Sequence, residues 1–233
     1  MIPFLPPQPV RFPPTHLALD EPDGLLAAGG ALTPEWLLEA YRRGIFPWFS
    51  EGEPILWWSP APRCVLRTDA VRVRRSLRKV MKKPQWSVAF DRDFEAVVRA
   101  CALTPREGQD GTWITGEMIE AYTALHRLGH AHSVEVFWNG ERVGGLYGVH
   151  IGRMFFGESM FSWKSDASKI ALVSLCRTLA PLGFELIDCQ VPTDHLLSMG
   201  AELMPRESFE AAIHRLAAVP FMQHAWKALE PVR

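Results

Sequence analysis

Residues 155–169, FFGESMFSWKSDASK, decide how the chain folds. Met154, Phe155 and Phe156 read as a strand, Gly157-Glu158-Ser159 interrupts it, and Ala167-Ser168-Lys169 opens an apolar run at helical spacing. A stretch meant only for burial does not carry a carboxylate at its centre, because an unpaired buried charge is strongly unfavourable. Aromatic walls with a few polar groups between them are how a small-molecule pocket is built. The stretch therefore reads either as a pocket wall or as an edge hairpin with a solvated Glu158.

On its N-terminal side, Ser133 to Trp138 and Arg142 to His150 flank Asn139-Gly140, the signal of a hairpin with a type I′ turn. Gly152 makes the next turn, so Met154 to Phe156 is a third antiparallel strand. On the other side, a helix from Asp166 or Ala167 to Leu179 is mostly apolar, and Gly183 stops it. Phe184 to Gln190 is a buried strand with polar residues at its end. The helical crossover sets Asp188 and Gln190 beside the hairpin, where open sheets bind ligands. By alternation these two share a face and Cys189 points away. Pro192, Asp194 and His195 lead into a short helix ending at Gly200, and Phe209 to Leu216 is a terminal helix.

Upstream, six prolines between Pro3 and Pro14 force an extended arm. Thr33-Pro34-Glu35 is a helix start, and Arg42-Arg43-Gly44 closes that helix. Trp48, Trp57 and Trp58 fall in segments broken by Pro47, Pro54 and Pro60. Such segments are excluded from central strands, which puts some of these indoles near the surface. An exposed indole is a platform for stacking a base; the other reading is a staple between a small domain and a larger one. Arg67 to Lys83 holds eight Lys or Arg against Asp69. Val73, Leu77, Val80 and Met81 share one face of an amphipathic helix, with Arg72, Arg75, Arg78, Lys79, Lys82 and Lys83 on its polar side. A polar face of one sign fits a phosphate backbone; a solvated face and a membrane surface are the other two readings. Trp86 to Phe90 is a strand and Asp93 to Cys101 a helix. Thr104 to Gly111 is a mobile connection, delivering Trp113 just before a helix that Thr115 caps.

A net charge of −1 excludes a chain coated in positive charge, so nucleic-acid contact must be local. The Pro-rich start is not a signal peptide, and no apolar run reaches the roughly 18 residues of a membrane span. Cys64, Cys101, Cys176 and Cys189 are widely spaced, which points to reduced thiols in a cytosolic protein. Ser159 lacks the glycine pattern of a nucleophile elbow. His126, His130 and His132 are split by Gly129 and have no second ligand cluster, so no metal is expected. No dinucleotide or P-loop motif is present. Asp188 and Gln190 facing Glu158, among aromatics, suit transfer between two bound substrates better than hydrolysis by a protein nucleophile.

GLLAAGGALTPEWLLEAYRRGIFPWF, ILWWSPAPR, TWIT, AYTALHRLGHAHSVEV, VGGLYGVHIG, FFGESMFS, DASKIAL and the run from IDCQ to His195 are long, ordered blocks. Along nearly its whole length the chain resembles the leucyl/phenylalanyl-tRNA–protein transferases. The resemblance implies an α+β fold: a small N-terminal domain, residues 1–62, on a domain like the GCN5-related acyltransferases, residues 63–233, with a mixed, mostly antiparallel sheet flanked by helices. It implies a cytoplasmic, monomeric enzyme without cofactor. Such an enzyme transfers Leu or Phe, and Met as a further donor, from aminoacyl-tRNA to the α-amine of proteins that begin with Arg or Lys, feeding N-end-rule degradation. Trp48 and Trp113 would stack on the 3′-terminal adenosine, and the basic helix would hold acceptor-stem phosphates. Leu146, Phe155, Met160, Leu175 and Ile187 would line the amino-acid pocket. Gln190 would orient the amine or carbonyl, Asp188 would accept a proton or fix that geometry, and Glu158 would be a second polar anchor. Leu175 stands where members carry Phe, and Asp166 where Asn is usual, with helix capping expected to survive. The competing readings are an N-acyltransferase using a soluble thioester and a non-catalytic tRNA-end binding module.

Overall fold

The computed structural model describes residues 2–104, 112–221, 226 and 229–231. Nearly all of the connection expected to be mobile between Thr104 and Gly111 lies outside the described residues. Strands β1 (Phe4–Leu5) and β2 (Leu25–Gly29) come first, then helix α1 (Pro34–Arg42). The Thr33 hydroxyl accepts the Trp36 amide at 3.4 Å, and Gly44 takes φ +70° just past the helix, so both ends follow the local sequence. Strands β3 (Phe46–Pro47) and β4 (Leu56–Trp58) complete a four-stranded sheet of order β1-β2-β4-β3.

β4 is therefore an interior strand, contrary to the expectation from its flanking prolines. It is three residues long and fits between Pro54 and Pro60, so neither proline interrupts its ladder. Trp57 is consequently fully buried, donating from Nε1 to the Gly29 carbonyl.

The second sheet is built from β5 (Arg63–Arg67), helix α2 (Arg75–Met81), β6 (Trp86–Phe90), α3 (Phe94–Ala102), α4 (Gly116–Arg127), β7 (Ala131–Trp138), β8 (Glu141–Ile151), β9 (Met154–Ser162), α5 (Ala167–Leu179), β10 (Leu186–Gln190), α6 (Asp194–Ser198), β11 (Glu202–Met204) and α7 (Arg206–Ala217). Its order is β11-β5-β10-β9-β8-β7-β6, and its neighbours are antiparallel except for β9 and β10. The fold is α+β. Asn139 and Gly140 both take positive φ in the β7–β8 turn, as a type I′ hairpin requires.

Two expectations are revised here. The basic stretch is not one helix from Arg67: Arg67 ends β5, Thr68–Ala70 is a 3₁₀ turn, and α2 begins at Arg75. β9 continues through Gly157-Glu158-Ser159 instead of stopping at Phe156, and it lies between β8 and β10, which excludes an edge hairpin.

Each face of the large sheet has its own core. Val65, Tyr147, Val149 and Phe156 join α1, α3, α4 and α7 on one side. Cys64, Leu66, Leu146, Phe155 and Ile187 join α2 and α5 on the other. Strand alternation alone divides neighbours between the two layers.

Candidate active site

The ladder between the parallel strands β9 and β10 ends at Phe156 and Asp188, although β9 runs on to Ser162. Past that point the sheet splits, and a cavity of about 330 Å³ occupies the split. Its lining comes from both core layers: Phe46 and Tyr147 from one, and Leu146, Phe155, Leu172, Leu175 and Ile187 from the other. Trp48, Trp113, Met160, Glu158 and Gln190 also line it. Trp48 remains 38% exposed, and Trp58 donates from Nε1 to its carbonyl at 2.6 Å.

Glu158 reaches the cavity because of a bulge. Tyr147 pairs with Ser159 and Gly148 with Gly157, leaving Glu158 without a partner on β8. Such an extra residue bends the strand and re-aims its side chain. Gly148 is needed at this bend, since a Cβ there would sit 2.2 Å from the Phe156 carbonyl oxygen. The Glu158 carboxylate accepts from Tyr41 Oη at 2.7 Å and Tyr122 Oη at 2.8 Å, and the two phenols also touch each other. Burial pushes the Glu158 carboxyl up to about 7, against the pull of the two phenol donors and of Arg63. Burial and then the Glu158 charge push both tyrosines well above their ordinary values, so they remain donors.

A second bulge shapes the end of β10. Asp188 pairs with Val65 and Gln190 with Cys64, so Cys189 and Gln190 together oppose one residue of β5. The expected alternation is thereby broken: Cys189 and Gln190 both line the cavity, and Asp188 does not. Asp188 is fully buried on the other side. It accepts from Arg63 Nε at 2.9 Å and Nη2 at 3.0 Å, and its Oδ1 accepts the Gln190 amide at 2.9 Å. Gln190 is held at φ +55°, a conformation that costs a non-glycine residue of order 1 kcal/mol. The Asp188 acceptor offsets that cost. Arg63 in turn donates from Nη2 to the Gly44 carbonyl at 2.8 Å and lies between the rings of Phe46 and Phe209. Asp188 thus faces Arg63, not Glu158 across an open cleft.

Sequence reading missed Arg63, Tyr41 and Tyr122. The signal for Arg63 was its place in a strand otherwise fit for burial, RCVLR, where a charge needs a partner. His195, which also lines the cavity, has a buried Nε2 without a hydrogen-bond partner among the described residues. Burial, and then the charge of Lys169, hold its imidazole below the ordinary value.

None of Arg72, Arg75, Arg78, Lys79, Lys82 and Lys83 lines the cavity. All six are exposed, and among the described residues none forms an ion pair. Asp166 does not cap α5 through its side chain, which instead accepts from Lys169 Nζ at 2.8 Å. Asp91, His126 and His132 come close enough to hold a cation. His132 already spans Asp91 Oδ2 at 2.6 Å and the Gly129 carbonyl at 3.1 Å, and His126 Nδ1 lies 2.7 Å from the Ala131 carbonyl. These contacts account for the cluster as structure. No described helix is long and apolar enough to cross a membrane.

Residues 65–214 match the family described as leucyl/phenylalanyl-tRNA protein transferase, and residues 30–61 match its N-terminal domain. The leucyl/phenylalanyl-tRNA–protein transferase of Hydrogenovibrio crunogenus is 58% identical over 94% of this chain and 86% of its own length. That of Azoarcus sp. is 59% identical over 92% and 91%. Among solved structures, a GCN5-related N-acetyltransferase from Kribbella flavida aligns at a TM-score of 0.39 and 11% identity, over 74% of this chain and 61% of that one.

Proposed function

The chain belongs to the leucyl/phenylalanyl-tRNA–protein transferase family, a family of aminoacyltransferases, and from that membership we propose that it moves Leu or Phe, and Met as a further donor, from aminoacyl-tRNA onto the α-amine of proteins beginning with Arg or Lys. The observation that carries this reading is the split in the large sheet. One cavity there joins an apolar lining to two indoles, a carboxylate and an amide.

The reaction is aminolysis of an activated ester. The neutral amine attacks the ester carbonyl, a C–N bond forms, the bond to the ribose 3′-oxygen breaks, and the amine proton ends on that oxygen. The enzyme's task is to align the amine and to stabilise charge on the carbonyl oxygen. Gln190 suits alignment, since its backbone is fixed by Asp188. Asp188 acts by positioning: both its oxygens are engaged by Arg63, and one also holds the Gln190 amide. Glu158, with two phenols behind it, anchors the acceptor's amino end. Trp48 and Trp113 stack on the terminal adenosine. Leu146, Phe155, Met160, Leu175 and Ile187 receive the Leu or Phe side chain, discriminating by about 1–3 kcal/mol per methylene. Arg72, Arg75, Arg78, Lys79, Lys82 and Lys83 hold acceptor-stem phosphates without reading sequence.

On this reading residues 1–62 and 63–233 act as two domains, a division that the two separate sheets support. The protein works as a cytoplasmic monomer without a cofactor and feeds N-end-rule degradation. Incubation with Phe-tRNA and an Arg-initiated peptide tests the proposal. The expected product carries one added Phe at its N-terminus by mass. A peptide left unchanged by a preparation that binds the tRNA would overturn it in favour of a binding module.

A further inference from the structure

Beside Gln190 sits a pair of thiols that the transfer reaction does not use. Cys64 lies on β5 and Cys189 on β10, and the bulge sets both Cys189 and Gln190 opposite Cys64. The register partner of Cys64 is Gln190, at the roughly 4.5–5.5 Å between Cα atoms of an antiparallel pair, and the adjoining Cys189 is close enough for its thiol to hydrogen-bond to Cys64. Both side chains belong to the same core layer, and both thiols are free. Cys64 is fully enclosed, whereas Cys189 is 9% exposed and lines the substrate cavity, so a small reagent entering the cavity reaches Cys189 before Cys64.

We propose that Cys64 and Cys189 form an oxidisable dithiol in the cavity wall, and that joining them as a disulfide switches the enzyme off. Hydrogen peroxide is the class of oxidant that fits a cavity of this size. The hydrogen bond to Cys64 and burial hold the Cys189 thiol well above its ordinary value, so it reacts through a small thiolate fraction, which attacks one peroxide oxygen and gives a sulfenic acid and hydroxide. The Cys64 thiolate then attacks the Cys189 sulfur and displaces a second hydroxide. In sum, two thiols and one peroxide give one disulfide and two waters. In the reduced pair a hydrogen bond from the Cys189 thiol, aided by the Arg63 charge and opposed by burial and Asp188, holds the Cys64 thiol below its ordinary value, so the two sulfurs already face each other.

The consequence for activity follows from the neighbours. Cys64 adjoins Arg63 and Cys189 lies between Asp188 and Gln190, so the bridge tightens the two strands that carry the Arg63–Asp188 ion pair. Pulling Cys189 toward β5 moves the Gln190 amide away from Asp188 Oδ1, its 2.9 Å acceptor. A displacement of about 1 Å at a positioning group is enough for a loss of the order of 100-fold.

The loss of activity rests on the transfer function proposed above; formation of the bond does not. The full chain is treated with hydrogen peroxide, then digested without reduction and mapped by mass. The expected result is a Cys64–Cys189 peptide pair lighter by two hydrogens, with transfer to an Arg-initiated peptide lost at least 10-fold and restored by dithiothreitol. Cys64→Ala should keep its reduced-state activity and resist the oxidant. Linkage elsewhere, or no linkage under peroxide, overturns the proposal on wild-type protein alone, whatever the variant does. Equal loss in Cys64→Ala also overturns it. Failure of the reduced enzyme to transfer at all is a separate result that counts against the transferase reading and leaves the bond mapping intact.

Discussion

Arg63 grips Asp188 through Nε and Nη2, at 2.9 and 3.0 Å, and each side chain is 1% exposed. The pair joins β5 to β10 immediately behind the cavity. Removing one partner leaves the other as an uncompensated buried charge. Arg63→Met should therefore cost about 3–5 kcal/mol. The double variant Arg63→Met, Asp188→Leu should regain most of that stability and still transfer slowly, because the Gln190 amide has lost its acceptor. Urea unfolding and single-turnover rates measure the two effects. Wild-type rates in the double variant would remove Asp188 from the mechanism.

Glu158 should leave a signature in stability against pH. Its folded-state value is raised to about 7 from an ordinary 4.5. The folded state therefore binds this proton more tightly than the unfolded chain does. The stabilising contribution is fully present below about 4.5 and is lost as pH rises through about 7. Glu158→Gln should flatten the profile in that window and be the more stable protein above it. Tyr41→Phe, which removes a donor to the charged form, should move the loss to higher pH. Urea midpoints measured from pH 4 to 9 decide this, and superimposable profiles for wild type and Glu158→Gln would refute it.

Stacking on Trp113 and Trp48 predicts a binding defect more than a chemical one. Base–aromatic stacking contributes about 1–3 kcal/mol per base, or roughly 5- to 150-fold in Kd. Trp113→Ala should weaken aminoacyl-tRNA binding within that range, with Trp113→Phe close to wild type. An unchanged Kd for Trp113→Ala would place the adenosine elsewhere.

The exposed cations around α2 should be visible in salt titration. Each phosphate neutralised contributes about −0.7 to −0.9 to the slope of log K against log salt. Arg75→Gln with Lys79→Gln should reduce the magnitude of that slope by about 1–2 without altering the rate at saturating tRNA. If the slope stays where it was, these residues are only a solvated face.

Leu175 is fully buried in the cavity lining, so Leu175→Phe takes space from the donor side chain. Discrimination of about 1–3 kcal/mol per methylene predicts roughly 10-fold or more in favour of Leu over Phe. Competition between Leu-tRNA and Phe-tRNA in one reaction reads the ratio directly, and an unaltered ratio would exclude Leu175 from the side-chain pocket.

The features legible from sequence are those whose cause is local. Thr33 and Gly44 mark the ends of α1, Asn139-Gly140 turns the hairpin, and apolar periodicity gives α5 and β10, because each depends on residues a few positions apart. The aromatic and apolar composition around Phe155 likewise announced a pocket wall. What the sequence could not carry are relationships between distant residues. Arg63 meets Asp188 across 125 positions, and Tyr41 meets Glu158 across 117. Both bulges depend on how one strand registers against another, so simple alternation placed Cys189 correctly opposite Asp188 but mispredicted the face of Gln190. Short-range sterics and hydrophobic pattern thus determined most of the helices and the hairpin strands. Only the tertiary structure decided where β9 and β10 part, which carboxylate faces the cavity and which is locked to an arginine, because burial and partnership are set by the whole fold.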